Sequence, residues 1–288
     1  MLNYREPLFR PPAEADSLIF QISYGCPHNT CTFCGMYKGV KYEIRDFSEI
    51  RAEIKAAAEL YPEIRRIFLA DGDVMNLNYP LLKNILELLN SEFRNLSRVN
   101  LYANGTSILS KTPEELESLK KLKLNTLYIG LESGSDKILT LVRKNEKADE
   151  MTEAVQILHK TGLKSSVMAL LGLGGKELSQ EHAEKTALVL NRMQPNLLSI
   201  LRFIEVNNSP VFKDYKPLSE FDAVNELLAI VTDLNLKRTV FTANHASNPL
   251  PLKGRLPHDK QKLIQIIKTM LHSGKLDTQS PGMLPLFL

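Results

Sequence analysis

A regular alternation of short β-rich runs with helical patterns limits the fold of this chain more than any other sequence feature. Helical signals separate the runs, such as the capping box formed by Thr112 and Glu115 around Pro113, and the periodic segment from Met151 that ends at Gly162. The β-rich runs lie at residues 17–23, 66–70, 98–102, 126–130, 165–171 and 197–204. Strands joined by helical crossovers run parallel.

This pattern predicts an α/β protein, specifically a partial (β/α)6-type TIM-like barrel, with an open doubly wound sheet as the alternative. In both folds the functional side chains gather at the C-terminal ends of the strands. After residue 205 the alternation weakens, with a helix expected at 220–233, a strand at 239–242 and a last helix at 260–272. We interpret residues 1–16 as an N-terminal extension, 17–205 as the partial barrel, and 206–288 as a C-terminal extension that closes the barrel and lines the substrate site.

The net charge and the lengths of the apolar runs indicate which partners, nucleic acid or a membrane, the chain could bind. The 36 Lys and Arg residues against 33 Asp and Glu residues give a net charge of +3, so nucleic acid is a possible but unsupported partner. No apolar run approaches the roughly 18–20 residues that span a bilayer, and no basic and apolar leader begins the sequence. We therefore expect a cytoplasmic protein without a membrane partner.

All three cysteines lie in one short segment, at Cys26, Cys31 and Cys34, directly after the first predicted strand. Such crowding does not suit a disulfide framework, so it indicates metal ligation or thiol chemistry. Three thiolates can hold three irons of a cubane cluster, whereas structural zinc needs a fourth ligand, which His28 could supply. A redox pair formed by Cys31 and Cys34 is a further alternative, but it leaves Cys26 unexplained.

The segment resembles the radical S-adenosylmethionine (SAM) superfamily, whose usual signature is Cys-x3-Cys-x2-Cys with an aromatic residue before the third cysteine. Phe33 is that aromatic residue, but four residues separate Cys26 from Cys31, which makes a Cys-x4-Cys-x2-Cys variant. The resemblance extends along residues 17–204. It implies a [4Fe–4S] cluster on Cys26, Cys31 and Cys34, with SAM as the second cofactor and Phe33 beside them.

The resemblance also implies SAM-binding residues at the ends of successive strands. Asp71, Gly72 and Asp73 stand where the family often has Gly-Gly-Glu near the SAM amino group, although an Asp-Gly turn is the alternative. The segment Gly-Leu-Glu-Ser-Gly-Ser at 130–135 resembles one that surrounds the ribose, with Glu132 and Ser133 as contacts; serine could instead cap the next helix.

Two more polar or glycine-rich segments complete the expected SAM site. Gly172, Gly174 and Gly175 match a hydrophobic-glycine element that lies against adenine, because glycine permits close backbone approach. Asn104 follows the third predicted strand, so we expect its side chain at the same end of the sheet as the other SAM-binding segments. An Asn-Gly turn is the alternative explanation.

Four residues are predicted on the substrate side. Arg202 on the sixth strand could pair with substrate or with the SAM carboxylate, or it could turn outward. His245, Asn248 and His258 lie in later loops, where substrate contacts concentrate. Solvated loop residues or structural hydrogen bonds are the alternatives.

The resulting hypothesis is reductive cleavage of SAM to a 5′-deoxyadenosyl radical, which abstracts hydrogen from an unidentified small-molecule substrate. A reductant such as flavodoxin or ferredoxin would be a partner. Modification of tRNA or protein is the alternative, favoured by the resemblance at 130–135. A non-catalytic zinc- or cluster-binding regulatory module is a further alternative.

Overall fold

The computed structural model describes residues 2–205 and 211–282. The strands are β1 (Leu18–Gln21), β2 (Ser23–Tyr24), β3 (Glu43–Ile44), β4 (Arg66–Ala70), β5 (Arg98–Ala103), β6 (Leu124–Glu132), β7 (Lys164–Leu171), β8 (Leu197–Arg202), β9 (Thr239–Ala243) and β10 (Leu252–Leu256). The α-helices are α1 (Phe47–Leu60), α2 (Tyr79–Glu92), α3 (Gly105–Leu109), α4 (Pro113–Lys121), α5 (Asp136–Leu141), α6 (Ala148–Lys160), α7 (Gly175–Met193), α8 (Glu220–Asp233) and α9 (Lys260–His272).

Eight strands form the main sheet in the order β1-β4-β5-β6-β7-β8-β9-β10. The pairs β1–β4, β4–β5, β5–β6, β7–β8 and β8–β9 are parallel, and β9–β10 is antiparallel. Among the described residues no pairing joins β1 to β10. The predicted α/β class with a parallel sheet is confirmed.

Local sequence signals account for most element boundaries. Helix α4 begins at the predicted capping box, in which Thr112 and Glu115 exchange hydrogen bonds between side chain and backbone. Strand β10 was not predicted, because only its ends, Leu252 and Leu256, are buried and its interior is Lys-Gly-Arg. The predicted run at 17–23 divides between β1 in the main sheet and β2, which pairs with β3.

The chain folds as two compact units. Unit one consists of residues 2–29, 36–129 and 153–165, and unit two holds the other described residues, 30–35, 130–152, 166–205 and 211–282. These units do not test the sequence-based boundaries at 16 and 205, which stay a prediction.

Aromatic packing and a buried carboxylate organise the core of unit one. The ring of Phe68 lies 5.0 Å from that of Tyr102 and 5.9 Å from that of Tyr128, both edge to face. Leu8 packs on the same cluster. Glu14 is buried and accepts hydrogen bonds from Asn100 and Tyr128. The N-terminal extension is therefore built into the core of this unit.

Unit two contains its own apolar cluster, formed by Ile138, Val142, Leu173 and Val211. Helix α8 begins at a second capping box, in which Ser219 and Asp222 exchange hydrogen bonds. This box sets the start of the helix that carries Glu226, a buried residue of the site described next.

Candidate functional site

One buried carboxylate holds both ends of the cysteine-bearing loop in unit one. Asp71 follows β4, and its Oδ2 accepts hydrogen bonds from Gln21 Nε2 at 2.9 Å and from the Gly25 amide at 3.3 Å. Its Oδ1 accepts from the Tyr37 hydroxyl at 3.3 Å. Burial raises the pKa of Asp71 to about 6, although these donors oppose the shift. Because Gly25 precedes Cys26 and Tyr37 lies beyond the last cysteine, Asp71 anchors the loop at both ends.

A second carboxylate, Asp73, gathers the other polar residues predicted here. It is fully buried, and it accepts from Ser107 Oγ at 2.9 Å and from Asn104 Nδ2 at 3.3 Å. His28 Nε2 lies 3.3 Å from Asp73 Oδ2. The structure thus brings Asp73 and Asn104 together as expected, and it attaches the long first gap of the cysteine motif to them through His28.

The backbone after β4 lies directly against Cys26. A β-carbon at Gly72 would stand 2.6 Å from Cys26 Cβ and 3.1 Å from its Sγ, so no side chain fits there. The Gly72 amide donates to the Gly25 carbonyl at 3.2 Å, which closes the contact. Because Gly72 has no side chain, Cys26 lies directly against the backbone of the turn after β4.

The donor set fits an iron–sulfur cluster. All three cysteines lie in the described part of the chain, are half-buried, and form no disulfide. Thiolates are the ligands that such clusters take. Within the described ranges, no group of three or more His, Cys, Asp or Glu side chains is arranged around a metal position. Ligation by Cys26, Cys31 and Cys34 stays a prediction, supported by the donor chemistry and by the contacts that hold the loop.

The later part of the cysteine loop is held by backbone contacts in unit two. The Thr32 amide donates to the Val142 carbonyl at 2.9 Å, and its hydroxyl donates to the Val211 carbonyl at 2.6 Å. Phe33 packs on the apolar cluster that contains Val142 and Val211. Phe33 therefore anchors the loop between its last two cysteines, and its predicted cofactor contact stays a prediction.

Glu132, at the end of β6, has a left-handed backbone with φ of 62°. A β-carbon at Gly130 would stand 1.9 Å from Glu132 Oε1, so the glycine leaves the space that the Glu132 carboxylate occupies. Lys144 Nζ lies 3.9 Å from Glu132 Oε1 and 3.2 Å from Glu146 Oε2. Burial raises the pKa of Glu132, while the charge on Lys144 opposes the shift. A strained backbone residue and buried charged side chains are both typical of functional sites.

The charge on Lys144 is stabilised by its neighbours. Burial alone would lower the pKa of this ammonium, but Glu146, Glu132 and Cys31 outweigh it and the pKa is raised. These neighbours therefore favour the charged form of Lys144 beside Glu132. Glu146 gave no motif signal, because its role depends on this contact.

Ser133 and Ser135 hold the segment after β6 to helix α7. Ser133 is fully buried, with its Oγ 2.9 Å from His182 Nδ1. Ser135 accepts from the Ile138 amide and caps α5, so the capping alternative is confirmed for this serine. The predicted contact of Ser133 with cofactor stays a prediction, since its hydroxyl is engaged within unit two.

The predicted glycine element forms the turn from β7 into α7. Gly172 directly follows β7, and its amide donates to Glu226 Oε1 at 2.7 Å. Gly174 caps α7 and Gly175 is the first residue of the helix. His182 and Glu226 were missed by sequence reasoning; the only signal is a single polar residue at an otherwise buried helical position.

Three of the four predicted substrate residues lie close together in unit two. The Arg202 amide donates to Ser247 Oγ, which lies 2.8 Å from His245 Nδ1. Asn248 is buried and donates to the Ile200 carbonyl at 2.8 Å. Burial lowers the pKa of His245. These contacts join the end of β8 to the loop after β9.

The other contacts of the four predicted substrate residues are structural hydrogen bonds or contacts at the protein surface. The Arg202 guanidinium donates to the Leu218 carbonyl at 3.1 Å, and burial lowers its pKa. The side chain of His258 is 89% exposed and lies 2.7 Å from Asp259. Asp259 accepts from the Arg255 amide and does not cap α9 with its side chain. Substrate contacts for Arg202 and His258 stay predictions.

The fold and site together define an α/β protein with a parallel sheet, a supported three-cysteine loop, and polar or glycine-rich segments after the strands. The family model of the radical SAM superfamily matches residues 20–189. The chain therefore belongs to the radical SAM superfamily. No helix in the described ranges is long and apolar enough to cross a membrane.

Individual curated proteins are also similar to this chain. "Putative methylthiotransferase MJ0865" of Methanocaldococcus jannaschii is 27% identical over 175 residues, covering 57% of this chain and 38% of the relative. The chain spans between 38% and 55% of the length of the curated relatives it matches.

Solved structures share the fold. Coproporphyrinogen III oxidase (HemN) from Escherichia coli, a radical SAM enzyme, is 16% identical with a TM-score of 0.56, covering 75% of this chain and 52% of that one. Methylornithine synthase (PylB) is 13% identical with a TM-score of 0.54, covering 88% of this chain and 81% of that one. These likenesses agree with the partial-barrel fold expected from the sequence.

Family membership identifies the chain as an enzyme. It also supports the two cofactors expected from the cysteine segment, a [4Fe–4S] cluster and SAM.

Proposed function

We propose that this enzyme binds its [4Fe–4S] cluster through Cys26, Cys31 and Cys34 and cleaves SAM reductively to act on a small-molecule substrate. The observation that carries the proposal is that Asp71 accepts hydrogen bonds from both ends of the cysteine loop, an arrangement we call the Asp71 clamp, together with the close approach of Gly72 to Cys26. When bound, the reduced cluster supplies the electron for cleavage of SAM to methionine and a 5′-deoxyadenosyl radical.

The chain's own residues would bind and orient the cofactors. Asp71 and Asp73 sit on the turn beside Cys26, where a carboxylate can accept from the SAM ammonium. Glu132, held by Lys144, would accept from the ribose hydroxyls. Its buried and already bent geometry limits the reorganisation that binding requires.

The adenine and the substrate would lie against unit two. Gly172, Gly174 and Gly175 offer backbone without side chains to a flat ring. His245 and Asn248, with Arg202 beside them, are the proposed substrate contacts. A small-molecule substrate and a reductant such as flavodoxin or ferredoxin are the partners this chemistry needs.

Anaerobic reconstitution tests the proposal. Wild-type protein loaded with iron and sulfide and reduced with dithionite is expected to convert SAM to 5′-deoxyadenosine, measured by liquid chromatography. Replacing any one of Cys26, Cys31 or Cys34 with alanine should lower iron content and abolish this product. Full iron content in the Cys31→Ala variant would remove the ligand assignment, and absence of product in wild type would remove the activity.

A macromolecular substrate, tRNA or protein, is the second candidate, because the segment at 130–135 resembles one in branches of the superfamily that modify tRNA. Cell extract divided into a small-molecule fraction, an RNA fraction and a protein fraction separates the two. The proposed function predicts that the small-molecule fraction stimulates 5′-deoxyadenosine formation. Stimulation by RNA alone, with binding that weakens steeply with salt, would favour the second candidate.

A further inference from the structure

Two buried side chains outside the sequence motifs connect two segments of unit two that are proposed to hold SAM. His182 lies in α7 and Glu226 in α8, with relative exposures of 0% and 2%. Ser133 Oγ lies 2.9 Å from His182 Nδ1, and His182 Nε2 lies 3.7 Å from Glu226 Oε1. The same Glu226 oxygen accepts from the Gly172 amide at 2.7 Å. A polar path therefore runs from the segment after β6 to the turn after β7, and its one link longer than a hydrogen bond is the 3.7 Å contact between His182 and Glu226.

The directions of the hydrogen bonds along this path are consistent with one another. The Ser135 amide donates to Ser133 Oγ at 3.1 Å, so the Ser133 hydroxyl proton is available for His182 Nδ1. The matching tautomer of His182 carries its proton on Nε2, on the side of Glu226. Ser179 Oγ donates to the other oxygen of Glu226. Each terminus of the path is thus fixed by a backbone amide.

A second contact reinforces the attachment to α7. The Gly134 amide donates to Thr186 Oγ1 at 2.9 Å, one turn of helix after His182. Gly134 also lies so close to α7 that an added β-carbon would stand 2.3 Å from the Lys185 carbonyl oxygen. The segment that carries Glu132 is therefore seated on α7 at two successive residues, Ser133 and Gly134.

Packing alone does not account for these two side chains. Burial lowers the pKa of His182 to about 4 and raises that of Glu226 to about 7, which reflects the cost of placing ionisable groups in this interior. Apolar residues of similar volume would fill the same space without that cost. An apolar pair could not make the hydrogen bonds to Ser133 and to the Gly172 amide.

We infer that His182 and Glu226 are positioning residues for SAM, which hold the Glu132–Ser135 segment and the Gly172–Gly175 turn in a fixed relation. The inference rests on the SAM-binding roles proposed above for Glu132 and Gly172. The two residues act through the segments they hold and do not contact the reacting atoms.

Binding of SAM to reconstituted, unreduced protein tests this inference without turnover. Equilibrium dialysis with radiolabelled SAM gives the Kd, while iron content and the thermal unfolding midpoint report on cluster and fold. His182→Ala and Glu226→Ala are expected to raise the Kd about tenfold, equivalent to about 1.4 kcal/mol, with iron content unchanged. Glu226→Gln keeps an acceptor for Gly172 and should stay near the wild-type Kd.

Matched controls separate positioning from general loss of stability. His159→Ala removes a histidine of α6 whose Nε2 lies 3.0 Å from Ser165 Oγ, a similar pair away from the proposed segments. Asp233→Ala removes an exposed carboxylate from the end of α8. Both controls should bind SAM like wild type, even where the unfolding midpoint falls.

The outcomes are distinct. Alanine variants that unfold at lower temperature but bind SAM like wild type would overturn the inference and leave the proposed function intact. Failure of wild type to bind SAM would overturn the proposed function itself. If an alanine variant does not fold, His182→Asn replaces it, because its shorter amide can reach Ser133 but not Glu226. An unchanged Kd in that variant would also overturn the inference.

Discussion

Removal of the Asp71 carboxylate should loosen the cysteine loop at both ends. Asp71→Ala deletes the acceptor of three hydrogen bonds, from Gln21, Gly25 and Tyr37, in a position that is 1% exposed. Net contributions of about 1 kcal/mol per hydrogen bond, with an added penalty for donors left buried without an acceptor, predict a loss of about 3–5 kcal/mol. Asp71→Asn keeps one acceptor and should cost only about 1–2 kcal/mol.

Urea unfolding of the protein without its cluster measures this free energy apart from cofactor binding. The rate at which a chelator removes iron from reconstituted protein then reports on the loop itself. We expect faster iron loss in Asp71→Ala than in Asp71→Asn, and slow loss in wild type. Tyr42→Phe is a control, because it removes the hydroxyl of a tyrosine that has no contact with Asp71 at hydrogen-bond distance.

A double-mutant cycle isolates one of the three contacts. Tyr37→Phe alone should cost about 1 kcal/mol, and its effect should vanish when Asp71 is already alanine, which gives a coupling energy of about 1 kcal/mol. Additive effects of Tyr37→Phe and Asp71→Ala would refute the clamp. So would an Asp71→Ala variant that matches wild type in both unfolding free energy and iron retention.

Three further predictions follow from single contacts. Gly72→Ala should reduce iron content after reconstitution, since its β-carbon would stand 2.6 Å from Cys26 Cβ; full iron content would contradict the close approach. Phe33→Ala should lower the free energy of unfolding by about 2–4 kcal/mol through lost packing, measured in urea, and a loss below about 0.5 kcal/mol would contradict its anchoring role. Glu226 has a pKa raised by burial to about 7, so the folded state favours its protonated form, and the stability this provides is lost as pH rises through about 7. His182, with a pKa lowered by burial to about 4, opposes this trend between about pH 4 and 6.5. Glu226→Gln should therefore raise the thermal unfolding midpoint relative to wild type more at pH 8 than at pH 5, and an equal difference at both pH values would argue against a buried, titrating carboxyl.

Strand and helix positions were largely predictable because they depend on local patterns. Strand β4 and helices α8 and α9 begin and end where their hydrophobic periodicity indicated, and α8 also begins at the Ser219 cap. Strand β10 was missed because an edge strand with lysine and arginine in its interior has little local β signal, and only pairing with β9 defines it.

The candidate site divides in the same way. The cysteine spacing, the turn at Asp71 and the segment at 130–135 are each contiguous in the chain, so motif reasoning could single them out. Motif reasoning could not identify the hydrogen-bonding partners of these residues, because they lie far away along the chain. His28 was a candidate zinc ligand in the sequence, and only the folded chain places its imidazole beside Asp73.

The sequence by itself determined a parallel α/β sheet and a three-cysteine segment with glycine and carboxylate turns after the strands. Periodicity and spacing are properties of neighbouring residues, which a linear chain displays directly. Only the tertiary structure decided that Asp71 reaches Gly25 across 46 positions and that Glu226 reaches Gly172 across 54. Such contacts depend on how the strands are ordered in the sheet and which buried groups then need a hydrogen-bonding partner, and no local pattern encodes either.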